Sequence, residues 1–142
     1  MMFGRRLASN QDGVAVIEMA FALPVLIVMI WAFVQLAQIY RAMAGIQQAL
    51  GEGARYATLC ISPNALGCST PTADQIKTRI QDSVYGIGPG TFDVPNPTTG
   101  NFGTANYYDL TVNYTQPTDL LLFAGPTITV SRSKRVWTAS SS

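Results

Sequence analysis

From Val14 to Val34 every position except Glu18 is apolar or small, while the thirteen positions before this run and most of those after it mix polar with apolar residues. As a helix rising about 1.5 Å per residue, the run is about 30 Å long, which matches the hydrocarbon core of a bilayer. The predicted element is therefore a membrane-embedded helix with one carboxylate near its start. Pro24 lies inside it and removes one backbone donor, so a kink or local loosening is predicted there. The small residues Ala15, Ala20, Ala22, Ala32 and Ala37 allow helices to approach, but they form no dominant small-x3-small motif.

The helical pattern does not stop at Val34. Leu36, Ile39, Tyr40, Met43, Ile46, Leu50 and Ala54 recur at helical spacing, with Gln35, Gln38, Arg41, Gln47, Gln48, Glu52 and Arg55 between them. One helix from Val14 to about Thr58, about 65 Å long if straight, leaves the membrane and continues as an amphipathic rod. Gly45, Gly51 and Gly53 weaken it and predict bends. The segment CISPNALGC follows as a short loop with Pro63, Asn64 and Gly67 as turn formers.

From Ser69 to Gly86 a second, short amphipathic helix is predicted, with Ile76, Ile80 and Val84 on one face and Lys77, Arg79 and Asp82 on the solvated one. Its start is either a capping box of Thr72 with Gln75 or a Thr70 cap followed by Pro71. Gly86 to Asn106 is rich in Gly, Pro, Asn and Thr and reads as a long loop; its GIGPG lacks the lysine and the strand-to-helix setting of a phosphate loop. Tyr108 to Thr115 alternates apolar and polar positions, and Thr127 to Thr138 begins in the same way with Ile128 and Val130. These predict an antiparallel hairpin joined by QPTDLLLFAGP. Because two strands are not stable alone, the hairpin is expected to lean on a helix or to gain a third strand from the loop, for which Phe92 to Val94 is the candidate. The apolar cluster Leu120 to Phe123 is expected to pack on the core, with a membrane surface or a partner as the other possible covers. Arg132, Lys134 and Arg135 read as a solvated strand end that discourages edge-to-edge pairing.

The predicted fold class is α+β. A leader spans residues 1–13, a transmembrane helix 14–40, its amphipathic continuation 41–59 and a small extracytoplasmic domain 60–142.

Composition narrows the chemistry. A chain of 142 residues has room for one small domain beyond the apolar segment, and a formal charge of +1 supplies no field for nucleic acid or an anionic substrate. There is no His, and Cys60 and Cys68 are the only cysteines, so neither a general base of the commonest kind nor a usual metal site is available. No enzymatic activity, cofactor, small-molecule substrate or nucleic-acid partner is expected. Arg5 and Arg6, with Asp12 as the leader's only acid, predict an N-terminus in the cytoplasm and the remainder outside. Two cysteines outside the cytoplasm suggest a disulfide closing the short loop between them; the alternative is two reduced thiols.

Gly13 separates the polar leader from the apolar run abruptly. The pattern Gly13-Val14-Ala15-Val16-Ile17-Glu18, a basic leader ending in Gly before an apolar helix with Glu at its fifth position, resembles the processing site of type IV prepilins. The wider stretch, DGVAVIEMAFALPVLIVMIWAFVQL followed by GIQQALGEGARYAT, is similar to the TadE-like minor pilins, or pseudopilins, of tight-adherence (Tad, Flp-type) pilus systems. The resemblance is strongest from Gly13 to Ala57. It implies cleavage after Gly13 by a prepilin peptidase, insertion in the bacterial inner membrane, and other pilins and Tad assembly proteins as partners. Adhesion to surfaces is what it implies for the assembled pilus.

The residues themselves are consistent with such processing. Gly13 has no side chain to obstruct a peptidase and little commitment to helix. Cleavage would make Val14 the first residue, with an amine whose ordinary pKa near 8 leaves it mostly protonated. A carboxylate at membrane depth costs on the order of 2 to 4 kcal/mol alone and is tolerated when paired. Glu18, about one turn from Val14, can meet the amine of a neighbouring subunit and set the axial register of a helical stack. The other reading leaves Glu18 at headgroup level beside the positive end of the helix dipole. Three fates follow for the chain: a processed pilin starting at Val14, an uncut single-span protein whose outer domain scaffolds or binds another envelope complex, or a secreted form released after the small-x-small sequence Ala42-Met43-Ala44.

Overall fold

The computed structural model of the chain describes residues 12–64, 67–84, 86–119, 121 and 124–138, apart from the side chains of residues 12 and 62–68. The predicted leader up to Gln11 lies outside the described residues, as do Leu120, Leu122 and Phe123.

One helix, α1, runs from Asp12 to Ala57 and continues as α-helix through Pro24. It begins one residue before Gly13, so the predicted leader boundary falls within its first turn. Its end is closed by bonds from Thr58 N to Arg55 O at 3.2 Å and from Leu59 N to Tyr56 O at 3.0 Å, which occupy carbonyls that have no partner further along the helix.

The cysteine segment, predicted as a loop, forms a small hairpin of β1 (Ser62–Asn64) and β2 (Gly67–Ser69), with Ser62 opposite Ser69. A bond from Ile61 N to Ser69 O at 2.9 Å extends it toward α1. The second helix, α2, spans Ala73–Val84. Of the two predicted starts, the capping box is the one formed: Thr72 N donates to Gln75 Oε1 at 3.0 Å and Gln75 N to Thr72 Oγ1 at 3.4 Å.

The remaining elements form one antiparallel sheet around a long central strand. This is β5 (Ala105–Asp119), and β6 (Ala124–Thr138) pairs along nearly its whole length. On the other side of β5, β4 (Thr98–Phe102) covers Ala105–Asp109 and β3 (Thr91–Asp93) covers Asn113–Thr115. The third strand thus lies one residue earlier than predicted, and Val94 is buried in the core instead. β4 falls inside the segment read as a loop. Its residues are mixed, with Thr98, Thr99 and Phe102 favouring strand and Gly100 and Asn101 opposing it, and pairing with β5 decides the outcome. The β4–β5 connection is the two-residue turn Gly103-Thr104, where Gly103 takes φ 62°, the positive value that short hairpin turns require.

The outer half of α1, α2 and the inner face of β5 enclose the core. From α1 come Ala42, Ile46, Ala49, Leu50, Ala54 and Ala57; from α2 Ile76, Ile80 and Val84; from the sheet Leu110, Val112, Tyr114 and Val136. The alternation of β5 is therefore as predicted. The helix face is not quite: Leu36 and Tyr40 are exposed and alanines take the centre. Close packing explains the exchange. A Cβ placed on Gly53 would overlap the side chain of Ile80, and one on Gly45 would come within 2.6 Å of Ile87 Cδ1. These two glycines, predicted as bends, are points of close approach between α1 and the chain packed on it.

Candidate membrane and packing site

The inner half of α1 contributes nothing to this core. From Gly13 to Ile27 every residue is exposed, Phe21 at 76% and Val16 at 69%, and the most apolar 18-residue window has no buried residue. A continuous apolar surface of this size is solvated by lipid or covered by other apolar helices. The helix is long and apolar enough to cross a membrane.

Gly13, Val14 and Glu18 share one end of α1 and are all exposed. A Cβ on Gly13 would meet nothing within 4 Å, so the Gly13–Val14 bond is sterically open. Glu18 has no ion-pair or hydrogen-bond partner among the described residues. Among the described residues its carboxylate is thus unmatched, at a position where the surrounding surface is apolar.

The apolar half ends where the sheet begins to touch the helix. Trp31 Nε1 donates to the carbonyl of Asp119 at 2.8 Å. The amide of Gln35 engages the same residue twice, donating through Nε2 to Asp119 O and accepting from Asp119 N at 3.1 Å. One turn further on, Gln116 Nε2 donates to Gln38 Oε1 at 3.5 Å, and Gln116 Oε1 accepts from the hydroxyl of Tyr114 at 2.6 Å. That hydroxyl in turn accepts from Gly90 N at 3.1 Å. Gln35 and Gln116 are the buried polar side chains, and no buried side-chain polar atom among the described residues lacks a partner. The hydrogen-bonded track fixes the far end of the β5–β6 hairpin against the helix.

These residues were not singled out from the sequence. The signals were present: Gln35 is the first strongly polar residue after the apolar run, and Gln116 continues the inward phase of Leu110, Val112 and Tyr114. A glutamine in an inward strand position predicts a hydrogen-bonding partner across the core.

Cys60 is exposed just beyond the end of α1, and no cysteine among the described residues is free. The side chain of Cys68 lies outside the described residues, so the predicted Cys60–Cys68 pair does too. The apolar cluster after Asp119 is described only at Leu121, which is 53% exposed with φ 69°. For that residue the expected packing on the core does not occur.

The basic strand end is a solvated edge as expected, with Arg132, Lys134 and Arg135 exposed on β6, which among the described residues pairs only with β5. On that edge Arg135 is also paired: its Nε and Nη2 donate to the two oxygens of Asp109 at 2.7 and 2.8 Å, and its guanidinium lies 4.1 Å over the ring of Tyr107. The hydrogen bond from Arg135 holds the Asp109 carboxyl below its ordinary pKa and, reciprocally, raises that of Arg135. Arg132 and Lys134, both exposed, flank an open groove with Gln47 and Leu50. Among the described residues no cluster of His, Cys, Asp or Glu is suited to hold a metal ion.

Comparison with known families agrees with the helix-centred reading. Residues 13–55 match the family model described as TadE-like protein. No curated protein and no solved structure matches the chain. The family match begins at the open Gly13 and ends in the packed outer half of α1, leaving the sheet unmatched. Over this helix, and not over the sheet that follows it, the chain is similar to TadE-like proteins.

Proposed function

We propose that the protein is a minor pilin or pseudopilin, cut after Gly13 by a prepilin peptidase and taking part in assembly of a Tad-type pilus used for surface adhesion. The observation that carries this reading is the bare apolar half of α1 with its single acid, Glu18, which has no partner among the described residues. In the bilayer, with the N-terminus in the cytoplasm and the sheet outside the inner membrane, lipid covers the apolar half. In an assembly, neighbouring pilin helices replace the lipid, and the carboxylate of Glu18 meets the amine of a neighbour's Val14. Pairing favours one axial offset over others because any slip leaves both charges in an apolar layer. The role is structural and calls for no catalysis or cofactor.

One observation favours a second reading. α1 begins at Asp12, so the bond after Gly13 lies in its first turn, where a peptidase must first unwind the chain. An uncut, single-span protein whose outer domain scaffolds another envelope complex accounts for that. N-terminal mass spectrometry of the protein isolated from membranes separates the readings. A start at Val14 supports the pilin, an intact Met1 supports the anchor, and a start at Gly45 supports a secreted form.

A further inference from the structure

The β5 strand runs antiparallel to α1, and its contacts can be followed along both elements. Leu110 lies beside Gly53, Gln116 bonds to Gln38, and Asp119 bonds to Gln35 and Trp31. Nine residues of strand cover about 30 Å, and the twenty or so helix residues from Gly53 to the Trp31–Gln35 turn cover about the same distance. The strand therefore keeps pace with the helix down to the last turn of the apolar run. Two further residues of chain add at most about 7 Å, which brings Leu121 to the level of Trp31 or beyond it.

We infer that the tip of the β5–β6 hairpin, at Leu121, is a second membrane contact, which dips into the outer interfacial layer of the same bilayer that α1 crosses. The bilayer is the occupant indicated because this surface is continuous with the apolar face of α1. Trp31, 42% exposed, has the amphipathic ring that settles at headgroup level, and its indole N–H is already satisfied by Asp119. Leu121 is exposed at 53% and held at φ 69°, a backbone state unfavourable for leucine. Asp119 Oδ1 accepts from Leu121 N at 3.1 Å and fixes this turn. Depth is limited by Asp119, whose exposed carboxylate belongs among headgroups, so the tip enters shallowly and does not span. The domain would thus stand on two feet, helix and hairpin, with its orientation to the membrane set.

The inference rests on α1 being in a membrane, and the test keeps the two apart. The full chain is reconstituted into phosphatidylglycerol–phosphatidylcholine vesicles whose phosphatidylcholine is brominated on upper acyl-chain carbons. Quenching of one added tryptophan is read against the parent protein in three variants: Leu121→Trp, Ile27→Trp within the apolar run, and Phe102→Trp, 78% exposed at the opposite end of the sheet. Bromolipid should quench the tryptophan at 121 and blue-shift its emission, quench the one at 27, and leave the one at 102 unchanged. Quenching at 27 without quenching at 121 overturns the hairpin contact and leaves the membrane helix standing. Loss of quenching at both positions overturns both. Equal quenching at 121 and 102 also overturns the inference, since it would reflect nonspecific adsorption of the domain.

Discussion

Gln35 holds both backbone polar groups of Asp119: its side-chain oxygen accepts from the N–H at 3.1 Å and its amide nitrogen donates to the carbonyl. A helix side chain thereby completes the hydrogen bonding of a strand end 84 residues away in sequence. Gln35→Leu removes both bonds; the Asp119 carbonyl keeps its bond from Trp31, while the part-buried Asp119 N–H loses its side-chain acceptor, at a cost of about 1 to 3 kcal/mol. The expected outcome is local. Hydrogen exchange followed by mass spectrometry should accelerate around residues 116–126, while amides near Leu110 keep their protection. Equal acceleration throughout the sheet would show that the bond pair does not act as a local clamp.

Two glycines of α1 predict opposite responses to the same substitution. A Cβ on Gly51 meets nothing within 4 Å, so Gly51→Ala should gain the helix propensity of alanine and stabilise by about 0.5 to 1 kcal/mol. At Gly53 the added methyl overlaps the fully buried Ile80, and overpacking of about 1 to 3 kcal/mol outweighs that gain. Thermal melting in detergent micelles should show the upward and downward shifts. Adding Ile80→Val to Gly53→Ala should recover part of the loss.

The Asp109–Arg135 pair gives a pH dependence of defined sign. The folded pKa of Asp109 is depressed by the hydrogen bond from Arg135, so its contribution to stability is present above the unfolded carboxylate pKa. It is lost as pH falls through the lower, folded value. An NMR titration should place the Asp109 carboxyl below the ordinary aspartate range, and Arg135→Gln should return it to that range. Because both groups are solvent-accessible, the effect on global stability is small.

Glu18→Ala should leave the protein in the membrane fraction, since it removes the one charge from the apolar run. Pilus number on the cell surface should fall if the carboxylate sets register between subunits. Normal piliation in this variant, with the protein present at the usual level, would remove that role from Glu18.

For Cys60 the expected state is a disulfide with Cys68. Alkylation of the denatured protein without reductant should then label neither residue, and reduction should expose both. Closure of so short a loop is worth about 2 to 3 kcal/mol, so Cys60→Ser should lower the melting temperature of the outer domain. Labelling of both thiols before reduction would identify them as a reduced pair.

Much of this molecule follows from local patterning. The helix from Gly13 to Ala57, the Thr72–Gln75 cap, the short second helix and the inward phase of β5 all depend on near neighbours: apolar spacing, a reciprocal cap and strand alternation. The unusual position of Glu18 is also visible in the chain alone, because a charge in an apolar run needs no tertiary context to be noticed. Only the tertiary structure decided the rest. β4 lies in a stretch rich in Gly, Pro and Asn and becomes a strand because it pairs with β5 across a turn. Gly45 and Gly53 look like helix breakers until Ile87 and Ile80 are packed against them. Gln35 and Trp31 become a docking point, and Leu121 an exposed tip beside the apolar half of α1, only once β5 is laid antiparallel along α1. Periodicity reports which face of an element is apolar, whereas the choice of what covers that face is made by contacts distant in sequence.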